Sequence, residues 1–298
     1  MRIAASFALL AGCGILLGGC DVLFQLQDVK PQAIDAPAID AALPDTPPIP
    51  PMHCTLPAAW DPSMIGAGTF YTVDASLTSA VFEDNGRIYY TPAGTTQKTV
   101  ELFASISGLR APRLAPSGNE LLLAWNQPVC CSIVSSTRDG AGTWSTPAPI
   151  TVQNIVIDSY EVPGVPSAGN GAKRRMVVTN ATNDEFFELR EDEAGWTLVF
   201  NYRAITLGMS AITDANLSPD GYRMYFGGVR MGQTSQRVFM IDRTDLTKAF
   251  DRANVIQVRD TAQSVQNVRT PYVSDDCASL WYSLGSSTTA TVYKAVPQ

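Results

Sequence analysis

Four segments of this 298-residue chain share one pattern, and that repetition constrains its fold more than any other feature. They are Ala80–Tyr90, Pro112–Leu123, Ala215–Phe226 and Pro271–Tyr282. Counting back from the turn residue of each (Gly86, Gly118, Gly221 and Cys277), position −6 is Ala or Pro and position −4 is Phe, Leu or Val. An apolar or aromatic run follows. The physical reading is a strand, a tight turn and a second antiparallel strand. Gly supplies positive φ in such a turn, and Asp or Asn caps it with side-chain hydrogen bonds. A second marker recurs before each turn: Trp60, Trp144, Trp196 and Phe250 precede Gly86, Gly171, Gly221 and Cys277 by 26, 27, 25 and 27 residues. The spacing exposes a fifth, less regular unit over Asp158–Asn180, where a Gly-rich insertion replaces the tight turn. Helical periodicity is almost absent, so the folded part is all-β.

Repeats that cannot bury a core singly acquire one by stacking. Leu217-Ser218-Pro219-Asp220-Gly221, followed by Met224-Tyr225-Phe226, resembles the WD-repeat-like propeller repeat of TolB-type periplasmic proteins, with weaker echoes at 112–123 and 271–282. The resemblance implies four-stranded blades around a channel. Five turn units predict a five-bladed β-propeller; six blades, with a degenerate one within 60–105, is the alternative. The chain ends one strand short of a complete blade, so residues near 58–66 are expected to supply the missing strand and close the ring.

The N-terminus reads as an address. Arg2 is followed by an uncharged apolar run, Ile3 to Leu17, too short to span a membrane and laid out as an export signal. Leu17-Gly18-Gly19-Cys20 resembles the lipobox of bacterial lipoproteins, which makes Cys20 the expected lipidation site. Leu10-Ala11-Gly12-Cys13 fits too and makes Cys13 the alternative; an ordinary secretory signal is the third reading. Residues 1–19 are thus the signal and 20–57 a tether. Eight of the chain's 20 prolines lie in residues 21–57, with no Gly and one aromatic, Phe24, a composition that builds no core and favours extended chain. Residues 58–298 form the propeller domain. The expected location is the bacterial cell envelope, held by an N-terminal lipid in the outer or inner membrane, with the domain in the periplasm or at the cell surface.

The formal net charge of −7 leaves no electrostatic footprint for nucleic acid. Four cysteines follow the tether's first residue. Cys54 precedes the expected closing strand and Cys277 lies in the blade it would join, so a Cys54–Cys277 disulfide would latch the ring in an oxidising compartment. Cys130 and Cys131 read as two thiols on opposite faces of a strand, a vicinal disulfide being the alternative. No CxxC spacing supports zinc, and neither a metal nor another cofactor is expected.

The single histidine, His53, lies in the tether, which excludes Ser-His-Asp and Cys-His catalysis from the folded domain. Carboxylate chemistry stays open. Asp158, Glu161 and Asp214 lie on expected inner strands, and glycoside hydrolysis needs two carboxyls facing each other across a bond. The competing reading makes all three solvated rim residues. Ser136–Trp144 resembles the Asp-box hairpin of sialidases with altered spacing, which supports a propeller hairpin and says nothing of hydrolysis. The polar positions expected to face one channel end are Arg110, Asp214 and Arg269, with Arg113; arginine is a good carboxylate or phosphate fork. Two functions follow. One is a non-enzymatic module that binds or scaffolds an envelope protein or glycan; the other is a glycosidase-like, carboxylate-dependent enzyme.

Overall fold

The computed structural model describes residues 54–126, 131–155, 161–169, 172–180, 184–258, 268–285 and 290–298. Cys13, Cys20, Cys130 and Asp158 lie outside the described residues, as do the side chains of Cys131 and Glu161. Five sheets account for every strand among the described residues. Blade 1 holds Thr69–Val73, Ser79–Asp84, Arg87–Pro92 and Val100–Leu102; blade 2 holds Leu109–Leu114, Glu120–Asn126, Cys131–Thr137 and Ala148–Pro149. Blade 3 comprises Glu161–Pro163, Arg175–Asn180, Glu185–Asp192 and Gly195–Arg203, with Val152–Gln153 added in parallel outside the last. Blade 4 is Met209–Leu217, Arg223–Arg230, Arg237–Asp242 and Ile256–Gln257. Blade 5 draws Val268–Val273, Leu280–Leu284 and Thr291–Pro297 from the C-terminus and completes itself with Trp60–Ala67, antiparallel to Thr291–Pro297 from Trp60↔Pro297 to Ala67↔Thr291.

The ring is therefore five-bladed and sewn shut by its N-terminal strand. Innermost strands of neighbouring blades touch all the way round. The core lies between blades: Leu114, Leu121 and Val134 of blade 2 pack with Val81 and Ile88 of blade 1, and Tyr71 of blade 1 stacks on Trp281 of blade 5 at 5.6 Å between centroids. A disulfide joins Cys54 to Cys277, at 5.7 Å between Cα atoms. No helix among the described residues is long and apolar enough to cross a membrane.

The turn motif sits between the first and second strands of blades 2, 4 and 5, where Gly118, Gly221 and Cys277 all have positive φ. Its aspartates act locally, as expected: Asp220 Oδ1 accepts from Ser218 Oγ at 2.6 Å and Tyr222 N at 3.0 Å, and Asp276 repeats the pattern with Ser274 and Ala278. Blade 1 corrects the sequence reading. Gly86 turns the second strand into the third, whereas the equivalent turn is Asp74–Thr78, with Leu77 at φ +55° nine residues before Gly86. Asp74 replaces the glycine signal with a dense cap: Oδ1 accepts from Thr78 N at 2.8 Å and Oδ2 from Ser76 Oγ at 3.0 Å. The 26-residue interval from Trp60 to Gly86 is thus a coincidence.

Candidate functional site at the channel

Each complete inner strand carries a bulge seven residues before its turn residue. Phe70, Ala111, Asp214 and Thr270 have φ of +53°, +50°, +30° and +50°, and the strand register shifts at each. A bulge frees a backbone N–H and re-aims the neighbouring side chains. The preceding blade takes up the donor. Ala111 N donates to Glu83 Oε2 at 2.8 Å and Ala215 N to Thr179 Oγ1 at 3.1 Å; ahead of the blade 5 bulge, Val268 N donates to Gln236 Oε1 of blade 4 at 2.7 Å.

Three of the four arginine and aspartate candidates meet in one ion-pair network. Arg113 Nη2 of blade 2 donates to Asp214 Oδ1 of blade 4 at 3.1 Å, and Arg269 Nη1 of blade 5 donates to Asp214 Oδ2 at 3.4 Å. Blades 2 and 4 are not neighbours, so the Arg113–Asp214 pair crosses the ring rather than joining adjacent blades. Both partners are buried. Asp214 is therefore no solvated rim residue, and each of its oxygens faces a guanidinium. Phe70 of blade 1 lies beneath both arginines, its ring centroid 5.0 Å from Arg113 Cζ and 5.3 Å from Arg269 Cζ.

Glu83, on the second strand of blade 1, completes the cluster and feels Arg110, Arg113 and Arg269 electrostatically. Burial nevertheless dominates and pushes its carboxyl above the usual 4.5. Burial likewise brings Arg113 down to about 10, against the opposing pull of Asp214. The cluster thus combines three guanidiniums and two carboxyl groups around an aromatic ring. Such a group can grip an anion; it offers no described pair of carboxyls facing each other across open space.

No family model matches. No curated protein matches the chain either. Solved structures of similar fold include endo-arabinase from Bacteroides thetaiotaomicron, at 13% identity over 82% of this chain and 97% of that one, with a TM-score of 0.49. A putative glycoside hydrolase from Bacteroides ovatus is similar at 10% identity, 78% and 87% coverage and a TM-score of 0.49. TolB from Acinetobacter baumannii is similar at 15% identity over 76% of this chain, which spans 57% of that structure, with a TM-score of 0.43. These likenesses concern fold alone.

Cavities among the described residues include two that lie away from Arg113 and Arg269. One of about 600 Å³ opens among the turns, lined by Ala75, Pro116, Ala168, Pro219 and Asp275, with Arg174 paired to Glu120 at its rim. A groove of about 660 Å³ runs between the Cys54–Trp60 segment and Met240, Asp242 and Ile256 of blade 4. The Asp-box-like segment forms a hairpin loop in which Asp139 Oδ1 accepts from Ala141 N and Thr143 N at 3.0 and 2.8 Å. Glu188, unremarked in the sequence, is fully buried and accepts from Arg175, Arg243 and Tyr202 at 2.6–2.9 Å. That network is fully paired and ties blade 3 to blade 4.

Proposed function

We propose that the chain is an envelope lipoprotein, lipidated at Cys20, whose propeller binds a protein or glycan ligand without catalysing a reaction on it. The observation that carries this reading is the state of Asp214. A glycosidase needs one carboxyl to donate a proton and a second to attack or to activate water. Asp214, the described member of the candidate set, has both oxygens engaged by Arg113 and Arg269. Glu83 is tied to the backbone of the next blade. The channel is built to hold charge in place rather than to move a proton. The export signal, the Pro-rich tether and the Cys54–Cys277 latch all support residence outside the cytoplasm.

The test is in situ crosslinking of the full-length lipoprotein in its native envelope, followed by identification of what is attached. Recurrent recovery of one envelope protein or one glycan is the expected result. Release of new reducing ends from envelope glycans by the purified protein, abolished in Asp214→Asn, would overturn the reading in favour of an enzyme.

A further inference from the structure

The groove of about 660 Å³ beside the seam has two unlike walls. One is the segment from Cys54 to Trp60; the other runs from Ile256 to Val258, at the outer edge of blade 4. Its apolar surface includes Leu56, Met240 and Ile256, the last 51% exposed. Trp60 lines it too, wholly buried, and its indole Nε1 has no hydrogen-bond partner. A buried tryptophan N–H ordinarily finds an acceptor. Between Thr55 and Ala58, no backbone N–H donates to another described residue either. The charges, by contrast, are matched. Arg223 Nε and Nη2 donate to Asp242 Oδ1 and Oδ2 at 2.7 and 2.9 Å, and Arg243 is held by Glu188 and Gly221 O. The groove therefore suits an uncharged, apolar occupant that brings hydrogen-bond acceptors and few donors.

We propose that the occupant is this chain's own Pro47-Pro48-Ile49-Pro50-Pro51, laid back along the groove as a polyproline strand. That stretch is uncharged and apolar, and four of its five residues carry a carbonyl but no N–H. Polyproline segments enter aromatic-lined grooves at little entropic cost, because their backbone is already extended. Position argues the same way. Pro51 is joined by Met52 and His53 to Cys54, which lines the groove and is fixed to Cys277. So short a connection gives a millimolar effective concentration, and a contact of only millimolar affinity is then about half occupied. Five residues at about 3.1 Å each span roughly 15 Å, which matches the reach of an extended wall from Cys54 to Ala58. A docked segment fixes where the tether leaves the domain and closes the groove to other proline-rich chains. This contact is independent of what the channel binds.

The experiment is photocrosslinking within the full-length protein, with Ile49 replaced by benzoylphenylalanine and the adducts mapped by mass spectrometry. The expected adduct is intramolecular and falls on the blade 4 wall, at 240–244 or 256–258. Ile256→Asp puts a charge into that wall at an exposed position and is expected to weaken the contact about tenfold. A half-filled groove then becomes about one-tenth filled, so the yield drops roughly fivefold. Met64→Asp, on the seam strand away from the groove and 69% exposed, is expected to leave the yield unchanged, which separates loss of the wall from general damage. Pro48→Gly with Pro50→Gly lies outside the propeller's sheets and is expected to lower the yield as well, because glycine restores donors and backbone freedom. Adducts only to a second copy, to another protein or elsewhere on the domain overturn the assignment, as does the absence of any adduct. A yield that Ile256→Asp or the glycine pair leaves undiminished overturns it too.

Discussion

Glu83 sits opposite three guanidiniums, yet burial and not those charges sets the direction of its titration. A carboxyl whose folded pKa lies above its unfolded value stabilises the protein in its protonated form. That contribution is whole below the ordinary value near 4.5 and is lost as pH rises through the raised folded value. Above that window the native state carries the cost of a buried carboxylate. Glu83→Gln cannot ionise, and its Oε1 still accepts from Ala111 N, so the inter-blade bond survives. The melting temperature of Glu83→Gln minus that of the native protein is therefore expected to rise between about pH 4 and pH 7. Thermal melts across that range check it; a difference that falls with pH would mean that the arginines, and not burial, dominate at Glu83, and a flat one that the two cancel.

Among elements, the inner strands decide both fold and site, and they approach one another closely. A Cβ built on Gly164 of blade 3 would lie 2.0 Å from Ala215 O and 2.8 Å from Val177 O. Backbone, unlike a flexible side chain, cannot step aside. Gly164→Ala is accordingly expected to destabilise the domain by about 1–3 kcal/mol or more, read as a lower urea midpoint with an unchanged m-value. Its opposite is Gly86→Ala, which meets nothing within 4 Å and strains only its φ of +73°. The same strands show why the fold was largely legible and the site only in part. Gly118, Gly221 and Cys277 mark true first turns, and counting back from them reaches Arg110, Arg113, Asp214 and Arg269. In blade 1 the Asn85-Gly86 hairpin is the stronger turn signal, while the true turn relies on Asp74 and places Leu77 at positive φ. Counting from Gly86 hides Phe70, which occupies the position equivalent to Asp214. Glu83 was hidden for another reason: it reaches the cluster from a second strand, through a bond to a bulge that local sequence does not announce.

At the scale of the whole molecule, the ring has one seam, where Trp60–Ala67 pairs with Thr291–Pro297. Cys54 and Cys277, separated by 223 residues, fasten it just beyond the end of that strand. Long-range covalent closure restricts the unfolded chain strongly, so Cys54→Ser with Cys277→Ser is expected to cost about 2–5 kcal/mol. For a domain of this size that corresponds to a fall of roughly 5–15 °C in melting temperature, and a reductant should reproduce it in the native protein. Backbone strain at the same position is a separate contribution, which Cys277→Ser leaves in place. Cys277 occupies a turn position with φ +55°, where blades 2 and 4 use glycine, so the cysteine accepts backbone strain in order to make the bridge. Cys54→Ser with Cys277→Gly removes the bridge and the strain together and is expected to be the more stable of the two double variants. Hydrogen exchange locates the damage. Loss of protection should begin at Trp60–Ala67 and Thr291–Pro297 while the inner strands stay protected, because these inner strands are held by neighbouring blades rather than by the latch. Uniform loss of protection around the ring would mean that the seam is no weaker than any other blade contact, and that the disulfide stabilises the chain without guarding its closure.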